Sequence, residues 1–178
     1  MYHDTCWKKA ADYASFVGMQ TTIRPATKGD IPQILEMVRE LAVFENLEPA
    51  LVATVEDYEA SLFGSNRAAE ALIAELSDGT PVGYAIFFTT FSTFIGRPGI
   101  WLEDIYVRQE YRGNGSGKLL LKEVAKIARD RNAGRYEWCV LDWNQNAIDF
   151  YDRAGAEILD EWRIVRMEGE GIEKLAEG

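Results

Sequence analysis

The chain has 178 residues, 47% of them hydrophobic and 27% charged, a composition that suits one folded domain and excludes wholesale disorder. Its longest uninterrupted apolar run, residues 84–88, is far short of the roughly 20 residues that a membrane helix needs. A formal charge of −10 makes nucleic acid and membrane surfaces poor partners and cations good ones.

Residues 1–20 read as an extension ahead of a single α/β domain spanning 21–178, and Met19 is an alternative start. Lys8 and Lys9 are followed by no apolar core of signal-peptide length, so a cytoplasmic location is expected. Residues 21–26 are predicted as a short strand. A helix follows, capped by Thr27 or Asp30, with Pro32 tolerated in its opening turn. Ile31, Ile34, Leu35, Val38, Leu41 and Ala42 form its apolar stripe. Thr54 and Asp57 have capping-box spacing and open a second helix running to about Phe63.

Two strands are expected at 70–76 and 82–90, turned by Asp78-Gly79. A Gly/Pro-punctuated loop at 91–99 then leads to a strand at 100–107, apolar except for Glu103 and Asp104. A glycine-rich turn follows, then a helix on which Leu120, Val124, Ile127 and Ala128 share a face. Residues 136–142 read as a strand, and 144–153 as a helix ended by Gly155. The segment 157–167 reads as a strand pair or a kinked strand.

Several chemistries are excluded by counting. His3 is the one histidine, so the sequence offers no Ser-His-Asp triad, Cys-His pair or His-based metal site. Cys6 and Cys139 are too few for a disulfide framework or a Cys-rich zinc site, and Cys139, in a strand-like run, reads as a buried thiol. No metal site is expected. An acid or base here must be a carboxylate, Tyr, Lys or Cys. Charge is also unevenly spread. Residues 108–153 hold nine basic and seven acidic side chains, while the remainder carries ten against twenty-two. An anionic ligand on that segment and a cationic one elsewhere would fit.

The turn is Tyr111-Arg112-Gly113-Asn114-Gly115-Ser116-Gly117-Lys118. Strand, glycine turn, helix is an architecture for phosphates: glycines let successive N–H groups converge on an anion, and the helix adds its positive end. A Walker A loop fails at Arg112 and Leu119. The dinucleotide fingerprint fails at Lys118. In this setting Arg112-x-x-Gly115-x-Gly117 resembles the acyl-CoA motif of the GNAT N-acetyltransferase superfamily. Residues 102–107, 111–113 and 140–145 resemble the spermidine/spermine and thialysine subgroup, and Phe44-Glu45 and Ser92-Thr93 resemble its thialysine branch.

That resemblance implies a mixed, mostly antiparallel central sheet flanked by helices, with its fourth and fifth strands splayed apart. It implies acetyl-CoA as co-substrate, its pantetheine arm on the edge of Ile105, Tyr106 and Val107. The pyrophosphate would rest on Arg112, Gly113, Asn114, Gly115, Ser116, Gly117 and Lys118, with a further contact from Asn144. It makes Glu103 the general base and an acceptor contact, and Tyr151 the general acid beside the cofactor. Phe44, Glu45 and Thr93 would meet the acceptor, with Phe94 and Trp162 as candidate walls. The expected partner is a small cationic amine, and a homodimer is expected. Acetylation of a protein amine or aminoglycoside, or an idle acyl-CoA-binding module, stays open.

Overall fold

A computed structural model describes residues 20–178, so the predicted extension lies outside the described residues except at its last position. The described chain divides into two units, one running to Cys139 and the other Val140–Gly178.

The first unit is built on five strands in the order β1 (Thr22–Pro25), β2 (Glu70–Glu75), β3 (Pro81–Ser92), β4 (Arg97–Val107), β5 (Tyr136–Trp138). The first four pair antiparallel and β4–β5 pairs parallel. Helices α1 (Ile31–Glu45) and α2 (Val55–Phe63) cover one face and α3 (Ser116–Asp130) the other. On the α1/α2 face, Ile34, Met37 and Leu62 pack with Ala71, Ile73, Tyr84, Ile86 and Tyr106. On the other, α3 buries Leu120, Leu121 and Val124.

The predicted cap of α2 forms. Thr54 accepts from the Asp57 N–H at 3.2 Å, and the Asp57 carboxylate returns a bond to the Thr54 N–H at 2.9 Å, closing the box that opens α2. Asp30 holds the N-cap position of α1 without a side-chain bond into the helix: its carboxylate accepts from Thr27 N–H and from Arg24, and Thr27 caps a short 3₁₀ turn ahead of it.

Four expectations need correction. Residues 91–99 are mostly strand: β3 and β4 continue into a hairpin whose ends pair Ser92 with Arg97. Gly99 is there for close approach, since a Cβ would meet Thr90 Oγ1 at 2.5 Å, and the Pro98 carbonyl still accepts from Gly134 N–H. The strand at 136–142 stops at Trp138, where pairing with β4 ends at Leu102, and Cys139 just beyond it is exposed rather than buried. The segment 157–167 forms no strand among the described residues: a strand-like pattern still needs a neighbouring strand to pair with. Beyond these four, Glu170–Glu177, for which the sequence raised no expectation, is a helix, α5, with an acidic first turn and a Lys174–Glu170 pair.

In the second unit, Asn144 caps α4 (Gln145–Arg153) by accepting from Ala147 N–H at 3.2 Å. The helix ends as predicted. Gly155 has φ +86°, its N–H bonds the Asp152 carbonyl, and Ala156 N–H reaches Tyr151, which is the Schellman pattern.

Candidate active site

The register of β3 on β4 shifts between Ile86 and Phe87: Ile86 faces Asp104 and Phe87 faces Leu102, which leaves Glu103 as the extra residue of a bulge. In regular alternation Leu102 and Asp104 would share a face. The bulge separates them. Leu102 stays in the core with Phe87, while Asp104 joins Tyr84, Ile86 and Tyr106 on the α1/α2 side. Glu103 is exposed and accepts from Trp101 Nε1–H at 2.9 Å.

Asp104 is the residue the sequence reading undervalued. Burial, then the charges of Glu103 and Glu45, push its carboxyl up to about 6, partly opposed by the Tyr84 hydroxyl. That hydroxyl is buried beside Asp104, and burial raises its own pKa. Tyr58 is pushed up to about 12 by burial and by Asp104, and burial also raises Glu45. Asp104 and Tyr84 on the strands, Glu45 at the end of α1 and Tyr58 on α2 thus form an acidic nest. The two adjacent carboxylates of β4 were visible in the sequence, but the partial burial of Asp104 depends on the bulge.

Immediately downstream, β4 is open. Arg108 N–H bonds the Val82 carbonyl, so by antiparallel alternation Ile105 and Val107 direct their backbone groups away from β3. On that side the β5 pairing has already ended at Leu102. This is the predicted splay, and it leaves a short edge that an extended amide chain can join.

The edge leads into the glycine turn. Gly113 and Gly115 have φ of +83° and +93°, which side chains disfavour, and Gly115 is the N-cap of α3. Asn114 Oδ1 accepts from Ser116 N–H at 2.9 Å and from Ser116 Oγ–H at 2.7 Å. Since that hydroxyl proton is committed to Asn114, the 2.9 Å contact between Thr21 and Ser116 has Thr21 as donor. Ser116 is buried and serves the loop's shape. Lys118 is exposed. A turn with two positive-φ glycines, a helix N-terminus and an open strand edge fit an acyl carrier with a phosphorylated tail and an amide arm.

Phe44 and Glu45 end α1, and Glu45 shares the nest with Asp104. Thr93 stands apart. It lies at the hairpin tip beside the Ser92–Arg97 pair, about 20 Å along the strands from the Ile86–Asp104 pair at ~3.3 Å per residue. Phe94 and Trp162 are exposed. In the second unit Tyr151 is buried on α4, its ring 5.3 Å from that of Phe150, and Asn144 spends its side-chain oxygen on the helix cap.

A sheet opened along one strand ahead of such a turn is the ground plan of an acyltransferase. Residues 35–156 match the family model described as Acetyltransferase (GNAT) family. The chain belongs to that family and is an N-acetyltransferase. It is 42% identical over 164 residues to the thialysine N-epsilon-acetyltransferase of Sus scrofa, covering 86% of this chain and 96% of that protein. It is 33% identical over 201 residues to the L-ornithine N5-acetyltransferase NATA1 of Arabidopsis thaliana, covering 88% of each. Among solved structures, an integron cassette protein from V. cholerae matches with a TM-score of 0.74 at 26% identity, over 90% of this chain and 100% of that one.

Proposed function

We propose that this enzyme transfers the acetyl group of acetyl-CoA to the terminal primary amine of a small cationic acceptor, of the thialysine, ornithine or short-diamine class, by direct attack in a ternary complex. The observation that carries this reading is the acidic nest of Asp104, Glu45 and Tyr84 immediately upstream of the open edge at Ile105 and Val107. The names of the two relatives favour the same acceptor class.

The chemistry follows from the amine. At pH 7 a group of pKa ~10.4 is almost wholly ammonium, and removing its proton costs about 4.6 kcal/mol. The nest first attracts the cation: an ammonium there relieves the mutual repulsion of Asp104, Glu45 and Glu103. Glu103, exposed at the bulge, then takes the proton through water. Acetyl-CoA supplies the activated acyl group as a thioester. The Val107 N–H, on the open edge, is assigned the carbonyl oxygen as it gains charge. Tyr151 is assigned the proton for the departing thiolate, and the turn of residues 112–118 the pyrophosphate. Thialysine suits a carboxylate base because its sulfur withdraws electrons and lowers the amine pKa.

Homodimerisation and a cytoplasmic location belong with this reading. The former is supported by the exposed apolar residues of the second unit.

The test is a panel of acceptors with acetyl-CoA, read as free thiol: thialysine, ornithine, 1,3-diaminopropane, spermine, a peptide N-terminus and an aminoglycoside. The short terminal amines are expected to give the highest kcat/KM, above spermine. Turnover confined to the peptide or the aminoglycoside would overturn the acceptor class. Thiol release with none of them would remove the transfer itself.

A further inference from the structure

Arg112 belongs to the glycine turn, yet its side chain folds back onto the rest of the site. Its Nε–H donates to the Val107 carbonyl at 2.9 Å. Its guanidinium carbon lies 5.4 Å from the ring centroid of Phe44 and 5.4 Å from that of Tyr106, both within cation–π range. One side chain of the turn therefore touches the penultimate residue of α1, the body of β4 and a carbonyl of the open edge. Neighbouring bonds fasten α1 to β4: Arg108 pairs with Glu36 at 2.7 Å and Glu40 at 3.2 Å, and the Tyr106 hydroxyl donates to Glu40 at 3.2 Å. Arg112 extends that fastening to the turn.

We propose that Arg112 is a positioning residue that couples the two halves of the site, so that phosphates on the turn at 112–118 and an amine at the Glu45–Asp104 nest strengthen each other's binding. With Nε committed to Val107 and the guanidinium carbon beside two aromatic rings, the guanidinium keeps its Nη groups for an anion. An anion that engages them holds the plane still. Phe44 is then held too, and with it the end of α1 that carries Glu45. The effect is reciprocal by thermodynamic necessity, since each ligand favours the same arrangement of one shared side chain. This coupling rests on the acetyl-CoA and amine reading given above.

The experiment measures the Kd of coenzyme A by calorimetry, with and without saturating thialysine, in the wild type, Phe44→Leu and Arg112→Lys. Phe44→Leu leaves every residue of the turn in place. Arg112→Lys keeps the charge but removes the planar fork. In the wild type thialysine is expected to tighten coenzyme A by about 5-fold or more, and in both variants the ratio should fall towards one. A merely structural role would weaken both ligands and leave the ratio unchanged. A wild-type ratio of one, or the full ratio surviving in both variants, overturns the coupling. Failure of coenzyme A to bind the wild type at all would instead overturn the acetyl-CoA reading, and the coupling with it.

Discussion

Asp104 carries opposite consequences for stability and for acceptor binding. Its carboxyl sits at about 6 in the folded protein against 3.8 ordinarily. The folded state therefore holds this proton more tightly than the unfolded state does, and stability contributed here falls as pH rises from about 4 to 6. Above that range the charged form is a net cost. Asp104→Asn should stabilise the protein at pH 7.5, by on the order of 3 kcal/mol at most, with the gain disappearing near pH 4. The same change should raise the amine KM at pH 7.5, and the wild type should lose that advantage as pH falls through 6. Thermal unfolding at the two pH values, with amine KM at 7.5 and 5.5, checks both signs. An unchanged Tm at pH 7.5 would mean that the charge is already compensated. The sequence displayed Glu103 and Asp104 side by side, and nothing local separates their roles. The bulge does: it leaves one carboxylate in water and turns its neighbour into a protein face.

The glycine turn shows how far an element can be understood before its surroundings are known. Its glycines stood out as phosphate-cradle positions, and Gly113 and Gly115 do adopt positive φ. A Cβ at Gly115 would meet nothing within 4 Å, so space is not the constraint there. The backbone conformation is. Gly115→Val should accordingly be tolerated by the fold apart from a local cost of about 1–3 kcal/mol, while the N–H groups of the turn rotate away. Protection by coenzyme A against thermal unfolding should be lost in this variant, and full protection would contradict the cradle. The hidden part of the turn is its wiring. The contact of Thr21 with Ser116 and that of Arg112 with Phe44 join residues 95 and 68 positions apart, and no local pattern encodes them.

At the level of the molecule, the exposed surface of the second unit is what needs an explanation. Trp162 is 73% exposed and Val165 94%, and Ile158, Leu159, Ile164 and Met167 are also exposed. So many exposed apolar side chains within residues 158–167 are uncommon on a monomer. Covering such side chains is worth roughly 1.5–3 kcal/mol each when burial is complete. Light scattering should give about 40 kDa, twice the chain mass of 20.1 kDa, and Trp162→Asp with Val165→Asp should return the monomer. A monomeric wild type at micromolar concentration would remove the homodimer.

Local chemistry was enough for the cap at Thr54, the stripes of α1 and α3, the helix from Asn144 with its glycine stop at Gly155, and the positive-φ glycines of the turn. Each of these is satisfied within a few residues, so neighbouring side chains specify it. The length of β5, the continuation of β3 and β4 through Pro98 and Gly99, the exposure of Cys139 and the partial burial of Asp104 were decided only by tertiary structure. Strands exist by pairing, and a carboxylate's pKa depends on what covers it. Both depend on chain segments distant in sequence, brought together by the sheet.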